Sequence, residues 1–208
     1  MEVPGYQGAV EELRKTLTLH PELKEKAANL GVLYQGRRGL MVVDVVASRQ
    51  RRYESYVTPK ILPLYIAEAK DLSLTTLARN PPEWLPLKAN EANTMSAVAE
   101  QILLAGSLDL TTDDEKCLAW ATDTQAVHQM LQVYGMGPAL LEYLRMLCGA
   151  DSLKVDVRVI NGMKAAGIET EWFTPTGLLA LAKEMSRDIP CSLLELDQCL
   201  WHVVGNSK

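Results

Sequence analysis

The chain has 208 residues and lacks any run of about 20 uninterrupted apolar residues, the length an α-helix needs to cross a bilayer. Its first segment, MEVPGYQGAVEELRK, carries the acidic Glu2 and lacks the apolar core of a secretory signal. We therefore expect no membrane partner and a cytoplasmic location.

Cysteine and histidine are scarce, with four and three residues, and no CxxC pair or histidine ligand spacing occurs. In a reducing compartment, separated cysteines are buried thiols more often than disulfides. Isolated histidines are usually structural or solvated. The residues concerned are Cys117, Cys148, Cys191, Cys199, His20, His128 and His202. The sequence predicts no bound transition metal.

The chain also has fewer basic than acidic residues. It contains 21 Lys and Arg and 26 Asp and Glu, which gives a net charge of −5. This balance counts against binding a polyanion. Residues 34–60 are the exception, since two acidic residues there face six basic ones. The basic residues are Arg37, Arg38, Arg49, Arg51, Arg52 and Lys60. Such a cluster is either a binding patch or a solvated, ion-paired helix face.

Apolar residues make up 48% of the chain, and their spacing predicts helices over most of it. We expect helices within 6–31, over 112–123 and 124–133, and over 174–187 and 191–204. Asp113 or Asp114 and Thr124 are the predicted N-caps of the middle pair. No internal repeat or low-complexity tract is present.

Two stretches depart from this pattern. The run LMVVDVVAS after Gly39 is rich in valine, and propensity alone predicts a strand. NPPEWLPLK, residues 80–88, contains three prolines and predicts a loop or a crossing between lobes, with helices resuming near Asn93.

The segment VYGMGPALLEYLRMLCGADSLKVDVRV, residues 133–159, carries the strongest clue to function. Gly135 and Gly137 indicate a tight turn in which side chains would clash, and Pro138 suits the first position of a helix. The turn therefore joins two helices as a hairpin. The second helix would present free amide groups and a positive dipole end to an anion such as a phosphate.

This hairpin, followed by Val-Asp-Val at Asp156, resembles the helix-hairpin-helix DNA glycosylase superfamily, the group that contains endonuclease III. The early helix pair of that family is similar to residues 41–65, MVVDVVASRQRRYESYVTPKILPLY. The family's segment ahead of the hairpin is similar to LKANEANTMSAVAEQIL, which begins at Leu87. The resemblance covers about residues 30–208. It implies an all-α fold of two lobes with a cleft between them, residues 1–35 with about 140–208 forming one lobe and about 36–139 the other. It also implies that LMVVDVVAS is helical.

The resemblance assigns roles to particular residues. Asp156 is the candidate catalytic carboxylate, which would stabilise a sugar cation or orient water. Gln50 would fill the gap left by an extruded base. The expected DNA-binding residues are Gly135, Met136, Gly137, Ala139, Arg49, Arg51, Arg52 and Arg158. Tyr134 and Tyr143 are candidates for a base pocket, although aromatic residues at helical spacing are more often core.

The chain departs from the family pattern at several positions. Ala139 replaces the lysine that forms a Schiff base in family members that also cut the strand, so lyase action by that route is excluded. Arg158 stands where a His is common, and Asn161 where an Arg is expected. Only Cys191 and Cys199 fall near the C-terminus, so the iron–sulfur cluster of some relatives has too few ligands. No cofactor is expected, apart from a monovalent cation at the hairpin.

The leading hypothesis is a monofunctional DNA glycosylase that hydrolyses the N-glycosidic bond of a damaged or mismatched base flipped out of duplex DNA. We expect a monomer, associated with the nucleoid if the source is prokaryotic. One alternative is a catalytically inactive helix-hairpin-helix DNA-binding protein, and another is a helical interaction protein that no longer binds DNA. Asp156 itself also has a second interpretation, as a plain helix N-cap.

Overall fold

A computed structural model describes residues 3–88, 90–105 and 109–206, with side chains described up to 203. Every regular element in these ranges is helical and none is a strand, so the expected all-α class is confirmed. No helix in the described ranges is both long and apolar enough to span a membrane. The twelve α-helices in those ranges are α1 Tyr6–Leu19, α2 Glu22–Asn29, α3 Arg38–Ala47, α4 Leu62–Glu68, α5 Leu74–Arg79, α6 Glu91–Ala105, α7 Asp113–Thr122, α8 Thr124–Met130, α9 Pro138–Leu147, α10 Val157–Ala165, α11 Pro175–Asp188 and α12 Leu193–Asn206.

The chain divides into two compact units. Residues up to Leu30 and from Asp151 onward form the terminal unit, which contains α1, α2 and α10–α12. Residues Gly31–Ala150 form the central unit, which contains α3–α9, a short 3₁₀ turn at Val32–Tyr34 and a π-helical segment at Tyr53–Ile61.

The core of the terminal unit gathers around α12, which packs against α1, α2, α10 and α11. Leu13, Val159, Met163, Leu196 and Leu200 are fully buried there. The approach of α10 to α12 is close, since a Cβ on Gly162 would lie 2.5 Å from the Leu200 carbonyl oxygen.

The central unit is organised around α3. Every residue of this helix is buried, and it packs against α4, α5, α6, α7 and α9. A helix that is enclosed by other helices needs no polar face. This environment explains how a valine-rich sequence with strand propensity forms a helix, as the family resemblance implied.

The predicted N-caps of α7 and α8 were wrong by one residue or more. Thr112 caps α7 in a reciprocal capping box with Glu115, and Asp123 caps α8 through the amides of Gln125 and Ala126. The two acidic residues at the start of α7 have tertiary roles instead. Asp113 accepts a hydrogen bond from the Leu74 amide, and Asp114 pairs with Arg38.

The proline-rich segment Asn80–Lys88 joins α5 to α6. It lies inside the central unit, so it is a loop and not a crossing between the units. The next helix begins at Glu91, two residues before the expected Asn93.

Candidate functional site

The Gly-Met-Gly turn joins α8 to α9 in the central unit, and α9 begins at Pro138 as predicted. The two glycines are not equivalent. Gly135 has a φ of 86°, in the left-handed region, whereas Gly137 has an ordinary extended backbone with φ −97° and ψ 171°. A Cβ at Gly137 would meet nothing within 4 Å, so the expectation that a side chain would clash there was wrong.

Two features hold the turn against the rest of the central unit, a hydrogen bond from Thr94 and the buried side chain of Met136. The Thr94 hydroxyl of α6 donates to the Tyr134 carbonyl oxygen at 2.8 Å. The Met136 side chain is buried, and its amide donates to the Val133 carbonyl oxygen. Met136 therefore anchors the turn from inside, and any contact it makes with DNA would have to come from its backbone.

The loop that follows α3 lies against this turn. A Cβ on Gly135 would lie 2.6 Å from Arg49 Nη1, and the Arg49 guanidinium is 5.9 Å from the centre of the Tyr134 ring. Gln50 is exposed and has a φ of 54°, a conformation that is uncommon for residues other than glycine. Two segments separated by more than 80 residues therefore meet on one surface.

This surface, which we call the hairpin surface, is an open concavity of about 530 Å³. Arg49 and residues 131–140 line it. Gly137 has no side chain with which to cap α9. The first amides of a helix lack partners within the helix, so this end of α9 favours an anion. Ala139 lies in this first turn and offers no nucleophile.

The arginines of residues 34–60 serve different purposes. Arg51 makes a two-pronged ion pair with Glu91, with Nη–Oε distances of 2.9 and 2.6 Å. Buried Arg38 pairs with Asp114 and also donates to the Leu147 carbonyl oxygen. These two guanidinium groups hold the central unit together. Arg52 is exposed and Arg49 lies on the hairpin surface, so the positive excess of the predicted patch is smaller than the sequence indicates.

The two candidate pocket tyrosines have different environments. Tyr134 is 64% exposed on the hairpin surface. Tyr143 is in α9, but its hydroxyl donates to Asp44 of α3 at 3.3 Å, so it belongs to a polar cluster in the core. This position does not favour the predicted role of Tyr143 in a base pocket.

Asp44 is fully buried, and three tyrosine hydroxyls donate to its Oδ2, those of Tyr34, Tyr53 and Tyr143. Burial, with the negative charge of Asp44 as a second cause, raises the pKa of all three tyrosines. They therefore remain protonated donors. The only sign of this cluster in the sequence is a lone aspartate inside LMVVDVVAS.

Asp156, in the terminal unit, is the N-cap of α10. Its Oδ1 accepts hydrogen bonds from the amides of Arg158 and Val159 at 2.9 and 3.1 Å. Its Oδ2 lies 3.4 Å from the Lys154 ammonium. Two N–H donors and one cation therefore hold the Asp156 carboxylate at the start of α10.

The residues on either side of Asp156 have different environments. The Asp156 side chain is partly buried, at 23% exposure, whereas the Val157 side chain is 72% exposed. The Arg158 guanidinium lies 4.2 Å from the centre of the Trp201 ring.

A second carboxyl group, which sequence reasoning missed, lies beside this site. Asp197 of α12 is 3% exposed and accepts hydrogen bonds from the Lys154 amide at 3.2 Å and the Gln198 side chain at 3.3 Å. Burial raises the pKa of Asp197 to about 7, and the Asp156 charge adds to the rise. Within LLELDQCLW nothing distinguishes it from an exposed helical aspartate.

The remaining candidate groups are dispersed. Among the described residues, no three His, Cys, Asp or Glu side chains are placed to hold a metal ion. Trp120 is fully buried and Trp172 is 79% exposed, so the tryptophans share no common site.

Comparison of the chain with protein-family models, curated proteins and solved structures gives no match. The functional conclusion therefore depends on the residues and their geometry.

Proposed function

We propose that this protein binds duplex DNA through the hairpin surface and removes a base as a monofunctional DNA glycosylase, with Asp156 as the catalytic carboxylate. The observation that carries the proposal is the meeting of Arg49 with Gly135. The resemblance assigned these two segments to DNA independently, and their contact gives them one shared surface.

The hairpin surface suits a phosphate group for three reasons. The first turn of α9 offers backbone amides without a side-chain cap. Arg49 adds a full positive charge at the same concavity. Gly135 keeps the turn free of a Cβ next to that guanidinium. Gln50, exposed on the adjoining loop, has the length and neutral polarity to occupy the gap left by a flipped base.

Asp156 suits cleavage of a glycosidic bond because two backbone amides and the Lys154 ammonium fix the position of its carboxylate. A carboxylate stabilises the positive charge that develops on the sugar, and it orients the attacking water. Ala139 provides no amine, so the product is an abasic site without strand cleavage through a Schiff base.

The binding half of the proposal is tested with Arg49→Ala. Loss of one phosphate contact lowers duplex affinity and reduces the slope of log K against log salt concentration by about 1. Arg79→Ala is the matched control, because Arg79 is an exposed arginine at the end of α5 in the same unit. Equal losses in the two variants would indicate general electrostatic attraction and contradict a specific hairpin surface.

The catalytic half is tested by base release from duplexes carrying uracil, alkylated purines, oxidised purines or mismatches, with abasic sites revealed by alkali. Wild type should release a base from at least one substrate, and Asp156→Asn should lower the rate by about 10²-fold or more. Borohydride should trap no covalent complex. Asn retains the N-cap of α10, so a loss of activity would not reflect a lost cap.

A catalytically inactive DNA-binding protein is the second candidate. The observation that favours it is that Asp156 is already engaged with two amides and Lys154, which is sufficient for a purely structural role. Salt-sensitive duplex binding without release of any base would favour this candidate. Absence of duplex binding at low salt would contradict both and leave a helical interaction protein.

A further inference from the structure

Asp197 and Asp156 approach the same lysine from different elements. The Lys154 backbone amide donates to Asp197 Oδ1 at 3.2 Å, and the Lys154 ammonium lies 3.4 Å from Asp156 Oδ2. Lys154 thus connects a carboxyl group buried in the core with the candidate catalytic carboxylate at the start of α10.

The hydrogen bond from Lys154 to Asp197 fixes the backbone just ahead of Asp156. Residues 151–156 have no helical structure before α10 begins, so their position depends on such tertiary contacts. A second contact of this kind joins Asp151 Oδ1 to the Leu194 amide at the start of α12. The segment that presents Asp156 is therefore held to α12 by two hydrogen bonds, at Asp151 and at Lys154.

We propose that Asp197 is a positioning residue for Asp156, holding Lys154 against it and changing the charge around it when Asp197 gains or loses its proton. The inference depends on the proposed function, because it assigns to Asp197 control of the same carboxylate. Asp197 contacts no substrate in this scheme and acts only through Lys154 and Asp156.

Two charged groups that act on Asp197 lie in the segment just before α10. Among the segments packed around α12, Asp156 raises the pKa of Asp197 by repulsion and Lys154 lowers it. Burial is the largest cause of the rise to about 7. Near neutral pH, the buried carboxyl group therefore changes between a neutral form and a second negative charge beside Asp156. The charged form adds to the field that favours a cationic sugar.

The first test is independent of catalysis. Carboxyl-carbon NMR follows the titration of Asp197 in wild type and in Asp156→Asn. The midpoint should fall by about one pH unit or more when the Asp156 charge is removed. An unchanged midpoint would overturn the inference whether or not the protein releases bases.

The second test is the pH profile of base release on the substrate that the wild type cleaves. The rate should rise about tenfold between pH 6 and pH 8 in wild type, following the ionised fraction of a group that titrates near 7. Asp197→Asn, which is neutral at every pH, should lose this rise and stay at the low rate that wild type shows at pH 6. Asp151→Asn is the control, because Asp151 is an exposed carboxylate on the same segment and its asparagine keeps an oxygen for the Leu194 amide.

Identical profiles for wild type and Asp197→Asn would overturn the proposal. A wild type that releases no base, together with a shifted NMR midpoint, would remove the proposed function and leave the electrostatic coupling of the two carboxyl groups standing.

Discussion

Asp44 of the central unit and Asp197 of the terminal unit are both aspartates buried within helices, at 0% and 3% exposure. Asp44 accepts hydrogen bonds from three phenol groups, which are neutral donors. Asp197 accepts from one amide N–H and one side-chain amide, beside the carboxylate of Asp156. The first arrangement joins elements together, whereas the second leaves a carboxyl group that changes charge near pH 7.

The cluster of Asp44 with its three tyrosines joins elements that lie next to the hairpin surface in the chain. Tyr34 comes from the 3₁₀ turn, Tyr53 from the π-helical segment and Tyr143 from α9. The loop with Arg49 and Gln50 follows α3, which contains Asp44, and the hairpin turn leads into α9, which contains Tyr143. The hydrogen bond from Tyr143 to Asp44 thus joins the two helices that adjoin the surface we propose for DNA.

The largest effect is expected on the pH dependence of stability. The pKa of Asp197 is raised from 3.8 to about 7, so the folded state binds more protons across that window and its unfolding free energy falls as the pH rises. About three pH units correspond to about 4 kcal/mol. Asp197→Asn should match wild type near pH 4 and exceed it at pH 8 in urea unfolding. Parallel curves for the two proteins would contradict the prediction.

The next effect concerns the stability that the hydrogen bonds to Asp44 provide. Asp44→Ala removes the acceptor that the hydroxyls of Tyr34, Tyr53 and Tyr143 share. The expected loss in the free energy of unfolding is about 3 kcal/mol. Asp44→Asn keeps one acceptor oxygen and should lose about 1 kcal/mol. Chemical denaturation of both variants measures the difference. A loss below about 0.5 kcal/mol for Asp44→Ala would show that the cluster does not join the helices.

The third prediction compares one substitution at the two hairpin glycines. Gly135→Ser places a side chain on a left-handed backbone and against Arg49, and should destabilise the protein by about 1–2 kcal/mol. Gly137→Ser should be neutral or stabilising, because the position is open and serine caps a helix. Thermal unfolding measures both. Equal losses at the two positions would show that the turn needs both glycines.

The smallest effect separates the capping role of Asp156 from its proposed chemistry. Asp156→Ala removes the acceptor for two amides of α10 and should cost about 1 kcal/mol, whereas Asp156→Asn should remain near the stability of wild type. Base release should fall to a similar extent in both variants. Activity retained in Asp156→Asn and lost in Asp156→Ala would leave only the structural role.

Much of the local structure followed from the sequence. Apolar spacing predicted the long helices, and the Gly-Met-Gly-Pro sequence predicted a turn with α9 beginning at Pro138. Asp156 at an N-cap was also expected from its residue type. These features depend on neighbours within a few residues, which a single sequence displays directly.

Tertiary structure alone decided which of these side chains are available for function. Arg51 pairs with a glutamate 40 residues away, Tyr143 donates to an aspartate 99 residues away, and Lys154 donates to an aspartate 43 residues away. A run of arginines looks the same in sequence whether its charges face solvent or a buried carboxylate. The partners are selected by the packing of helices that are distant in the chain, and that packing determines which groups are buried, paired or exposed.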